Sequence, residues 1–388
     1  MAKNNKKASK SEFNRSWSLE GTMPRIAVYV GLPLLVTILF MFALRPLARG
    51  MGLIDRPGGR KMHVGEVPVI GGLAMAGGLA IGALYSYSAL EGFAFFLTAT
   101  AVLVFIGALD DRYDLPASVR FLAQICAALL MVAGADVSAV DLGRPFFGEV
   151  VELGWLSTPF SIVIVLTAIN AFNMFDGSDG VAGTQALIAL LFMGIACVIA
   201  GATSCLPFVL ALTGCIVGFL IFNWPSKRTR NVRAFMGDAG STMLGFSLAW
   251  LSLDLSQGPA RVISPVVALW IFALPVYDLF SSMARRVAQG SSPFHGDSEH
   301  LHHLLRRFGF SSRQVAHVVL FASTACGLIG IGAYLAGVPD GWLFTGWAVL
   351  GVGYHIIFGS GLVIPRRESA RLDGATVTGK YWTLWKQR

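Results

Sequence analysis

Charged residues are scarce in this sequence, and their scarcity limits what the protein can be. Asp, Glu, Lys and Arg make up 13% of the 388 residues, whereas a soluble protein of this length would carry about twice that fraction. Hydrophobic residues make up 55% of the chain, and the mean hydropathy is +0.65. This composition excludes an ordinary soluble globular protein and favours a chain embedded in lipid.

Cysteine is scarce as well. The sequence contains five cysteines, no two of which form a CxxC pair, and all of them lie inside apolar stretches. This arrangement argues against a disulfide framework and a cysteine zinc site, and it is typical of small apolar core residues. The five residues are Cys126, Cys197, Cys205, Cys215 and Cys326.

Apolar runs of membrane-spanning length are abundant. A helix that crosses ~30 Å of hydrocarbon needs ~20 mostly apolar residues, and the uncharged run 180–226 is long enough for two helices, which we divide near residues 201–205. The sequence predicts an all-α, polytopic integral membrane protein with about 10–11 transmembrane helices, since open sheet edges cannot be satisfied in lipid. The runs are residues 26–44, 67–90, 92–109, 121–135, 154–175, 180–226, 239–253, 262–277, 315–338 and 341–365.

The basic residues predict how these helices are oriented. Alternate loops and the C-terminal tail together hold 22 Lys and Arg, whereas the other loops hold only Arg144 and Arg261. Because Lys and Arg are enriched on the cytoplasmic side, the basic loops and the C-terminus are expected in the cytoplasm. Basic residues scattered among membrane loops do not predict nucleic-acid binding.

We divide the chain into a basic N-terminal tail (1–25), a single transmembrane catalytic domain (26–365) and a C-terminal cytoplasmic tail (366–388). The side of the N-terminal tail stays open. An odd number of helices places the tail outside, although it carries six basic residues. Either the helix count is wrong by one, or the basic residues of the later loops determine the orientation of the chain despite those of the tail. The loop 136–153, on the predicted outer side, is expected to form a small hairpin cover.

Four polar stretches interrupt the apolar runs and carry residue types that bind metal and phosphate. An even number of predicted spans separates them, so all four are expected on one membrane face, and ionisable residues at membrane depth usually mark a functional site. They read "ALDDRYDLPASVR" (108–120), "NAFNMFDGSDGVAG" (170–183), "RNVRAFMGDAGS" (230–241) and "RRVAQGSSPFHGDSEHLHHLLRR" (285–307).

Each acidic residue in these stretches also has a simpler interpretation as a helix cap. The DDxxD pattern in "DDRYD", by which soluble prenyl diphosphate synthases hold magnesium, is weak by itself. Three acidic stretches on one face nevertheless favour a metal site, because carboxylate and amide oxygens are the ligands that Mg²⁺ prefers. The residues concerned are Asp110, Asp111, Asp114, Asp176, Asp179 and Asp238, with Asn173 beside them.

Two further groups suit an anionic substrate. The stretch "GGRKMHVGEVPVIGG" (58–72) places basic side chains ahead of a glycine-rich helix start, whose N–H groups favour anions. Ordinary positive-inside charge explains its arginine and lysine equally well, but not its histidine. The stretch "EHLHHLLRR" lacks the spacing of a zinc site and is better suited to bind phosphate or sugar hydroxyls. The basic side chains are Arg60, Lys61, His63, His300, His302, His303, Arg306 and Arg307.

In this order and spacing, the stretches "RKMHVGEVPVIGG", "ALDDRYDL", "NAFNMFDGSDGVAG" with "FMGDAGS", and "PFHGDSEHLHH" resemble the polyprenyl-phosphate N-acetylhexosamine-1-phosphate transferases, glycosyltransferase family 4. The similarity covers about residues 50–335. The final His-x-His-His resembles the bacterial UDP-GlcNAc:undecaprenyl-phosphate branch, which starts O-antigen, enterobacterial common antigen or teichoic acid linkage units. His295 departs from the family, which commonly has a small or polar residue there.

The resemblance implies a reaction and its partners. An N-acetylhexosamine 1-phosphate, GlcNAc-1-P above all, passes from a UDP-sugar to undecaprenyl phosphate, and UMP leaves. It implies Mg²⁺ as cofactor, with Mn²⁺ as the alternative, and a multi-pass protein of the bacterial inner (plasma) membrane with a cytoplasmic active site. The partners are UDP-N-acetylhexosamine and undecaprenyl phosphate, with no nucleic acid, and a homodimer is compatible with the sequence.

The resemblance also implies residue roles. Asn173 and Asp238 would hold the magnesium ion. We expect the adjacent aspartates to organise metal and basic groups rather than act as bases, since a phosphate monoester with a second pKa near 6 is already largely a dianion. Catalytic roles fall to Asp110, Asp111, Asp176, Asp179 and His300. Substrate-binding roles fall to Arg60, Lys61, His63, Arg120, His302, His303 and Arg306.

Two rival functions stay open at this point. The phospho-MurNAc-pentapeptide transferase of peptidoglycan synthesis is a relative that usually carries three adjacent histidines. A membrane transporter would also contain acidic residues, but transporters place them near mid-membrane within broken helices, whereas here they crowd one predicted face.

Overall fold

The structure of the protein is a computed structural model, which describes residues 19–56, 65–86, 92–202, 204–226, 233–258, 260–293 and 299–360. In these residues the chain is mostly helical, with one small antiparallel sheet of β1 (Ile54–Asp55) and β2 (Val67–Pro68), which confirms the all-α prediction. The main helices are α1 (Leu19–Leu44), α2 (Gly71–Ser86), α3 (Phe93–Tyr113), α4 (Ala117–Leu129), α5 (Ser157–Phe175), α6 (Val181–Ala200), α7 (Leu206–Asn223), α8 (Gly237–Ser256), α9 (Pro265–Ile271), α10 (Ala273–Ala288), α11 (Leu301–Arg307), α12 (Ser312–Leu335) and α13 (Asp340–Tyr354).

Each predicted apolar run corresponds to a helix or a helix pair. Among the described residues, eight helices are long and apolar enough to cross a membrane, and the bent pair of α9 and α10 would be a ninth. The remaining two runs correspond to α2, which is short, and to α8. The predicted number of about 10–11 spans is therefore reached when α2 and α8 are included.

Helix α8 is the centre of the fold. It packs against α2, α3, α5 and α6, and nearly all of its side chains are buried. A helix surrounded by protein does not need the continuous apolar surface of a lipid-facing helix, which explains the four serines in its sequence. The close packing of α2 on α8 depends on glycine, because a Cβ added at Gly72 would overlap with the backbone of Gly240.

The predicted division of the run 180–226 is confirmed. Helix α6 ends at Ala200, and the next residue, Gly201, adopts a φ of +69°, which L side chains rarely adopt. The following helix α7 begins at Leu206 with a proline in its first turn, the position where proline is tolerated. Glycine after one helix and proline at the start of the next reverse the chain between two membrane-length helices.

The predicted boundaries of the two tails stay predictions. Helix α1 begins at Leu19, inside the segment 1–25 that we assigned to the N-terminal tail. The last described helical turn ends at Gly359, and the predicted C-terminal tail lies outside the described residues.

The loop 136–153 forms a hairpin, as predicted. An antiparallel bridge joins Asp141 to Glu152, and the carboxylate of Asp141 forms an ion pair with Arg261. The side chain of Gln257 donates to the Asp141 carbonyl oxygen at 3.1 Å. The hairpin follows the C-terminal end of α4 and precedes α5, so it lies at the helix ends opposite to those that carry Asp110 and Asp176.

The chain bends by 81° between α9 and α10. Ser264 caps α9, since its hydroxyl accepts from the Val266 N–H at 3.1 Å. At the bend, the Ile271 carbonyl accepts from Nε2 of Gln185 at 3.1 Å, and the Gln185 amide oxygen accepts from Ser323. The fully buried Gln185 of α6 therefore stabilises the bend that directs α10.

Replacing Gln185 with leucine is expected to destabilise the fold. The change leaves the Ile271 carbonyl and the Ser323 hydroxyl buried without a partner, which typically costs about 1–3 kcal/mol for such a group. The expected result is a lower Tm in detergent. The matched control is Ser323→Ala, which removes one of the two bonds, leaves Ile271 paired and should lower the Tm less. An unchanged Tm for Gln185→Leu would contradict this account of the bend.

Candidate active site

The ends of four helices bring the predicted site residues together. Asp110 and Asp111 lie in the last turn of α3, Asn173 lies in the last turn of α5, and Asp238 lies in the first turn of α8. The histidines lie at the start of α11, with His300 at its N-cap. Each helix end exposes polar backbone groups, so polar side chains collect there without interrupting an apolar span.

Asp110 and Arg120 close the turn between α3 and α4. One carboxylate oxygen of Asp110 accepts from Arg120 Nη1 at 3.0 Å, and the other accepts from the Leu115 N–H at 2.6 Å. The same Arg120 nitrogen lies 3.7 Å from Asp238 Oδ2. Arg120 therefore links the two carboxylates, and its partly exposed guanidinium is held at the cavity by charge on both sides.

Asp111 acts as a helix cap from a neighbouring helix. Its carboxylate accepts from the N–H groups of Asp238 at 2.8 Å and Ala239 at 3.2 Å. These donors belong to the first turn of α8, where an acceptor satisfies the unpaired N–H groups and a negative charge suits the helix dipole. The contact fixes where α8 begins, and therefore where the Asp238 side chain lies.

Asn173 and Asp238 are in direct contact. Asn173 Nδ2 donates to Asp238 Oδ1 at 2.6 Å and to the Ser241 hydroxyl at 3.1 Å. Ser241 in turn donates to the Gly237 carbonyl at 3.1 Å. The two residues that we predicted as magnesium ligands are thus adjacent, although they come from helices 65 residues apart in sequence.

Asp179 is held by an arginine outside the predicted site. Arg233 binds the Asp179 carboxylate through both Nε, at 3.1 Å from Oδ1, and Nη2. Asn223 supports the same turn, since its Oδ1 accepts from the Gly180 N–H at 2.7 Å and its Nδ2 donates to the Ala234 carbonyl at 2.9 Å. A bidentate pair of this kind fixes geometry, so Asp179 supports the loop after α5.

Asp176 has no arginine or backbone partner of this kind, and no hydrogen bond or ion pair to its side chain occurs among the described residues. Burial, and then the negative charges of Asp238 and Asp111, raise the pKa of Asp176 well above the ordinary value of an aspartate. Several carboxylates that oppose one another's ionisation form a site that a cation would stabilise.

The histidines pack against the loop after α5. The rings of His302 and His303 lie 4.2 Å apart between centroids, and the buried ring of His302 lies against Gly177. Burial lowers the pKa of His302 to about 3, and the nearby His303 adds to the shift. His302 is therefore neutral at physiological pH, and neither of its ring nitrogens has a hydrogen-bond partner among the described residues.

Two cavities meet at these residues. One has a volume of about 630 Å³ and is bounded mostly by apolar side chains of α3, α4, α5 and α10. The other has a volume of about 1340 Å³ and is lined by many charged and polar side chains. The residues that line both cavities are Asp110, Asn173, Gly177, Asp238, His302 and His303. An apolar compartment and a polar compartment therefore share one wall, which carries the acidic and histidine residues.

Known proteins are similar to this chain over most of its length. The sequence model of "Glycosyl transferase family 4" matches residues 93–256, the region from α3 to α8. The undecaprenyl-phosphate alpha-N-acetylglucosaminyl 1-phosphate transferase of Yersinia pestis is 36% identical over 320 residues, which cover 82% of this chain and 87% of that protein. The protein of the same name from Escherichia coli (strain K12) is 35% identical over 79% of this chain and 83% of its own length. The one from Haemophilus influenzae is 35% identical over 82% of this chain and 88% of its own length. The chain belongs to glycosyl transferase family 4.

Membership in glycosyl transferase family 4 confirms the resemblance derived from the four motifs and makes this protein a transferase. The matched region ends with the last residue of α8. It includes the aspartates of α3, the loop after α5 and the start of α8, whereas the histidines of α11 lie beyond it. The relatives span those histidines as well, since they match about four fifths of the chain.

The residues of this family member fit a hard cation. No group of three His, Cys, Asp or Glu side chains in the described part of the chain is arranged to ligate a metal by itself. Mg²⁺ does not require one, because it commonly binds through one or two carboxylates together with substrate phosphates and water. The side chains of Asp176, Asn173 and Asp238 carry oxygen atoms of this kind, and all three line the polar cavity.

One expectation about anion binding is wrong in part. We expected the N–H groups at the glycine-rich start of α2 to favour an anion, but those of Gly71 and Gly72 donate to the carbonyls of Phe235 and Met236, both at 2.9 Å. Gly72 serves close packing on α8 instead, and Gly71 lies against the ring of Phe219 on α7. The three basic residues predicted in front of this helix, Arg60, Lys61 and His63, lie outside the described residues. Arg306 lines the polar cavity and donates to the Ser312 hydroxyl at 3.2 Å.

Sequence reasoning missed a polar row on α10. Asp278, Ser282 and Arg285 are spaced i, i+4 and i+7, which places them on one face of the helix, and all three are buried. The His300 ring binds the first two, with Nδ1 at 3.0 Å from Asp278 Oδ2 and at 3.2 Å from the Ser282 hydroxyl. The signal was available, because an acidic residue directly after an apolar run marks a functional position by default.

Proposed function

We propose that the protein transfers GlcNAc 1-phosphate from UDP-GlcNAc to undecaprenyl phosphate and releases UMP. The observation that carries this proposal is the wall shared by the apolar and polar cavities, because the reaction must bring a lipid phosphate and a water-soluble nucleotide together. The names of the relatives from Yersinia pestis and Escherichia coli support the same acceptor and the same sugar.

The reaction is a phosphoryl transfer. An oxygen of the lipid phosphate attacks the β-phosphorus of UDP-GlcNAc, the bond from that phosphorus to the bridging oxygen breaks, and UMP leaves with that oxygen. The product is a lipid diphosphate that carries GlcNAc. The attacking phosphate is largely a dianion at neutral pH, so it needs no strong base, and catalysis consists mainly of positioning and neutralisation of charge.

The polar cavity suits the nucleotide and its diphosphate. In this proposal Asn173, Asp176 and Asp238 hold Mg²⁺, which when bound would neutralise phosphate charge. Arg120 lines the apolar cavity, and its ion pair with Asp110 of the shared wall holds the guanidinium where it would contact the diphosphate. His302 remains neutral and therefore hydrogen-bonds to phosphate or sugar oxygens instead of adding a charge.

The apolar cavity suits the first isoprene units of the acceptor. Its walls include Leu103 and Ile106 of α3, Phe121 of α4, and Leu279 and Phe280 of α10. A polyprenyl tail has no polar groups, so it loses no hydrogen bonds when it lies in the bilayer. Burial of its apolar surface is favourable. The phosphate at the end of the tail would then reach the shared wall while the tail stays among lipids.

We further propose that the shared wall faces the cytoplasm of a bacterial inner membrane. Five arginines of the basic loops, Arg45, Arg56, Arg112, Arg233 and Arg306, line the polar cavity, and basic loops favour the cytoplasmic side. The docked hairpin 136–153 would lie on the opposite side, where the loops contain only two basic residues.

UMP release by the purified protein in detergent tests the proposed function. With undecaprenyl phosphate, Mg²⁺ and UDP-GlcNAc we expect UMP release that stops without the lipid or with EDTA, and that resumes when Mg²⁺ or Mn²⁺ is restored. UDP-GlcNAc with a ³²P-labelled β-phosphate should give a labelled lipid. Label that stays in UDP would instead indicate transfer of the sugar alone and would contradict the proposal.

The choice of nucleotide separates the rival enzymes. Activity with UDP-MurNAc-pentapeptide but not with UDP-GlcNAc would assign the chain to peptidoglycan synthesis. Release with neither nucleotide, in a preparation that is folded and monodisperse, would rule out both enzymes and favour transport.

A further inference from the structure

Asp278 of α10 is a buried carboxylate with a complete set of donors. Its side chain is almost inaccessible to solvent. Oδ1 accepts from the Leu301 N–H and from the Tyr354 hydroxyl, both at 2.9 Å, and Oδ2 lies 3.0 Å from His300 Nδ1. A buried carboxylate is unfavourable unless hydrogen bonds satisfy it, so this set of contacts holds Asp278 in one place.

These contacts tie the carboxylate to the start of α11. Leu301 is the first residue of that helix, and His300 is its N-cap residue, whose side chain does not cap the helix. Asp278 satisfies the Leu301 N–H instead, so one carboxylate holds both the first N–H of α11 and the imidazole of His300. His300 lines the same apolar cavity as Asp110, Asp238 and Arg120.

The contact with the carboxylate also sets the tautomer of His300. An aspartate only accepts hydrogen bonds, so the ring nitrogen next to it, Nδ1, carries the proton. In the neutral ring, Nε2 is then the nitrogen that lacks a proton and accepts hydrogen bonds. A fixed tautomer and a fixed ring orientation are what a carboxylate behind a histidine supplies in many active sites.

We propose that Asp278 is a positioning residue of this active site, and that it acts by fixing the orientation and tautomer of His300 at the wall of the apolar cavity. The inference rests on the proposed function. His300 would then present Nε2 as a hydrogen-bond acceptor to a hydroxyl of the sugar while the acceptor phosphate, largely a dianion, approaches. Tyr354 of α13 supports Asp278 through the other carboxylate oxygen, Oδ1.

The test compares Asp278→Asn with Tyr354→Phe. An asparagine at position 278 can accept from the Leu301 N–H through its oxygen, but it would direct an N–H₂ donor at Nδ1 and so reverse the tautomer of His300. We expect kcat to fall about 10- to 100-fold, with KM for both substrates unchanged within about threefold. Tyr354→Phe removes a bond to the same carboxylate, leaves the contact with His300 intact and should keep kcat within about threefold.

A double-mutant cycle separates positioning from a merely structural role. If Asp278 acts through His300, the double variant Asp278→Asn/His300→Asn should be no slower than His300→Asn alone. Independent losses that multiply would assign Asp278 to the stability of α11 and overturn the inference. Equal losses in Asp278→Asn and Tyr354→Phe would do the same.

Further controls distinguish a failure of this inference from a failure of the proposed function. Should Asp278→Asn fail to fold, Asp278→Glu keeps the charge but displaces the carboxylate, and it should lower kcat about tenfold or more because small misplacements are costly. An active wild type whose Asp278 variants both keep normal kcat refutes this inference alone. A wild type that releases no UMP refutes the proposed function, and this inference with it.

Discussion

Replacing Asp238 with asparagine is expected to lower turnover by about 1,000-fold, the upper range for removal of one electrostatic contact in an active site. The asparagine has nearly the same shape, so the N–H of residue 238 can still donate to Asp111 and α8 can still begin at the same place. What is lost is the negative charge beside Asn173 and Arg120. Both the proposed cation and the guanidinium depend on that charge.

Two measurements make this prediction specific. UMP release should fall, and the Mg²⁺ concentration needed for half-maximal residual activity should rise, whereas the Tm in detergent should stay close to that of the wild type. A variant that keeps normal turnover would remove Asp238 from the site. A variant that loses activity together with its fold would be explained by the start of α8 instead.

The matched control is Asp136→Asn at the opposite end of α4. Asp136 adopts a φ of +56°, a conformation that asparagine tolerates and alanine does not, so asparagine is the substitution that tests charge alone. We expect normal UMP release from this variant. An equal loss from both variants would contradict a catalytic site confined to one set of helix ends.

Much of the fold follows from the sequence because lipid imposes strict rules on composition. A segment that crosses hydrocarbon must be helical and apolar, so each apolar run corresponds to a helix or helix pair, and the break near Gly201 follows from a glycine and a proline at helix ends. The 81° bend between α9 and α10 has a local cause that the sequence contains, because Pro275 has no N–H to donate to the Ile271 carbonyl four residues earlier. The partner that satisfies this carbonyl instead, Gln185, comes from another helix, and no local pattern connects it with Ile271.

The site was predictable in its members but not in their contacts. Sequence spacing placed the aspartates at helix ends, where a cap and a catalytic group look alike. The structure separates the two interpretations by partner: the carboxylate of Asp111 accepts from the first N–H groups of α8, Asp179 is bound by Arg233, and Asp176 has no partner of this kind among the described residues. These differences depend on distances between helices, which a single sequence does not contain.

Gly177, the residue after Asp176, is the second position at which a substitution should strongly reduce activity. Gly177 lies against the imidazole of His302, and a Cβ added there would overlap with that ring. His302 is 2% exposed and packs on His303, so its ring has little space to move away from an added Cβ. The substitution Gly177→Ala should therefore displace the loop between Asp176 and Asp179, which lines the polar cavity.

We expect Gly177→Ala to lower kcat/KM for UMP release about 100-fold, since a misplacement of about 1 Å in an active site can have an effect of that size. The matched control is Gly353→Ala on α13, where an added Cβ would meet nothing within 4 Å, and its activity should be that of the wild type. A Gly177→Ala variant with normal kcat/KM would mean that the loop and the histidines move independently. The shared wall of the two cavities would then not be a rigid site. The proposal that this wall positions the lipid phosphate against the nucleotide diphosphate would lose its geometric basis.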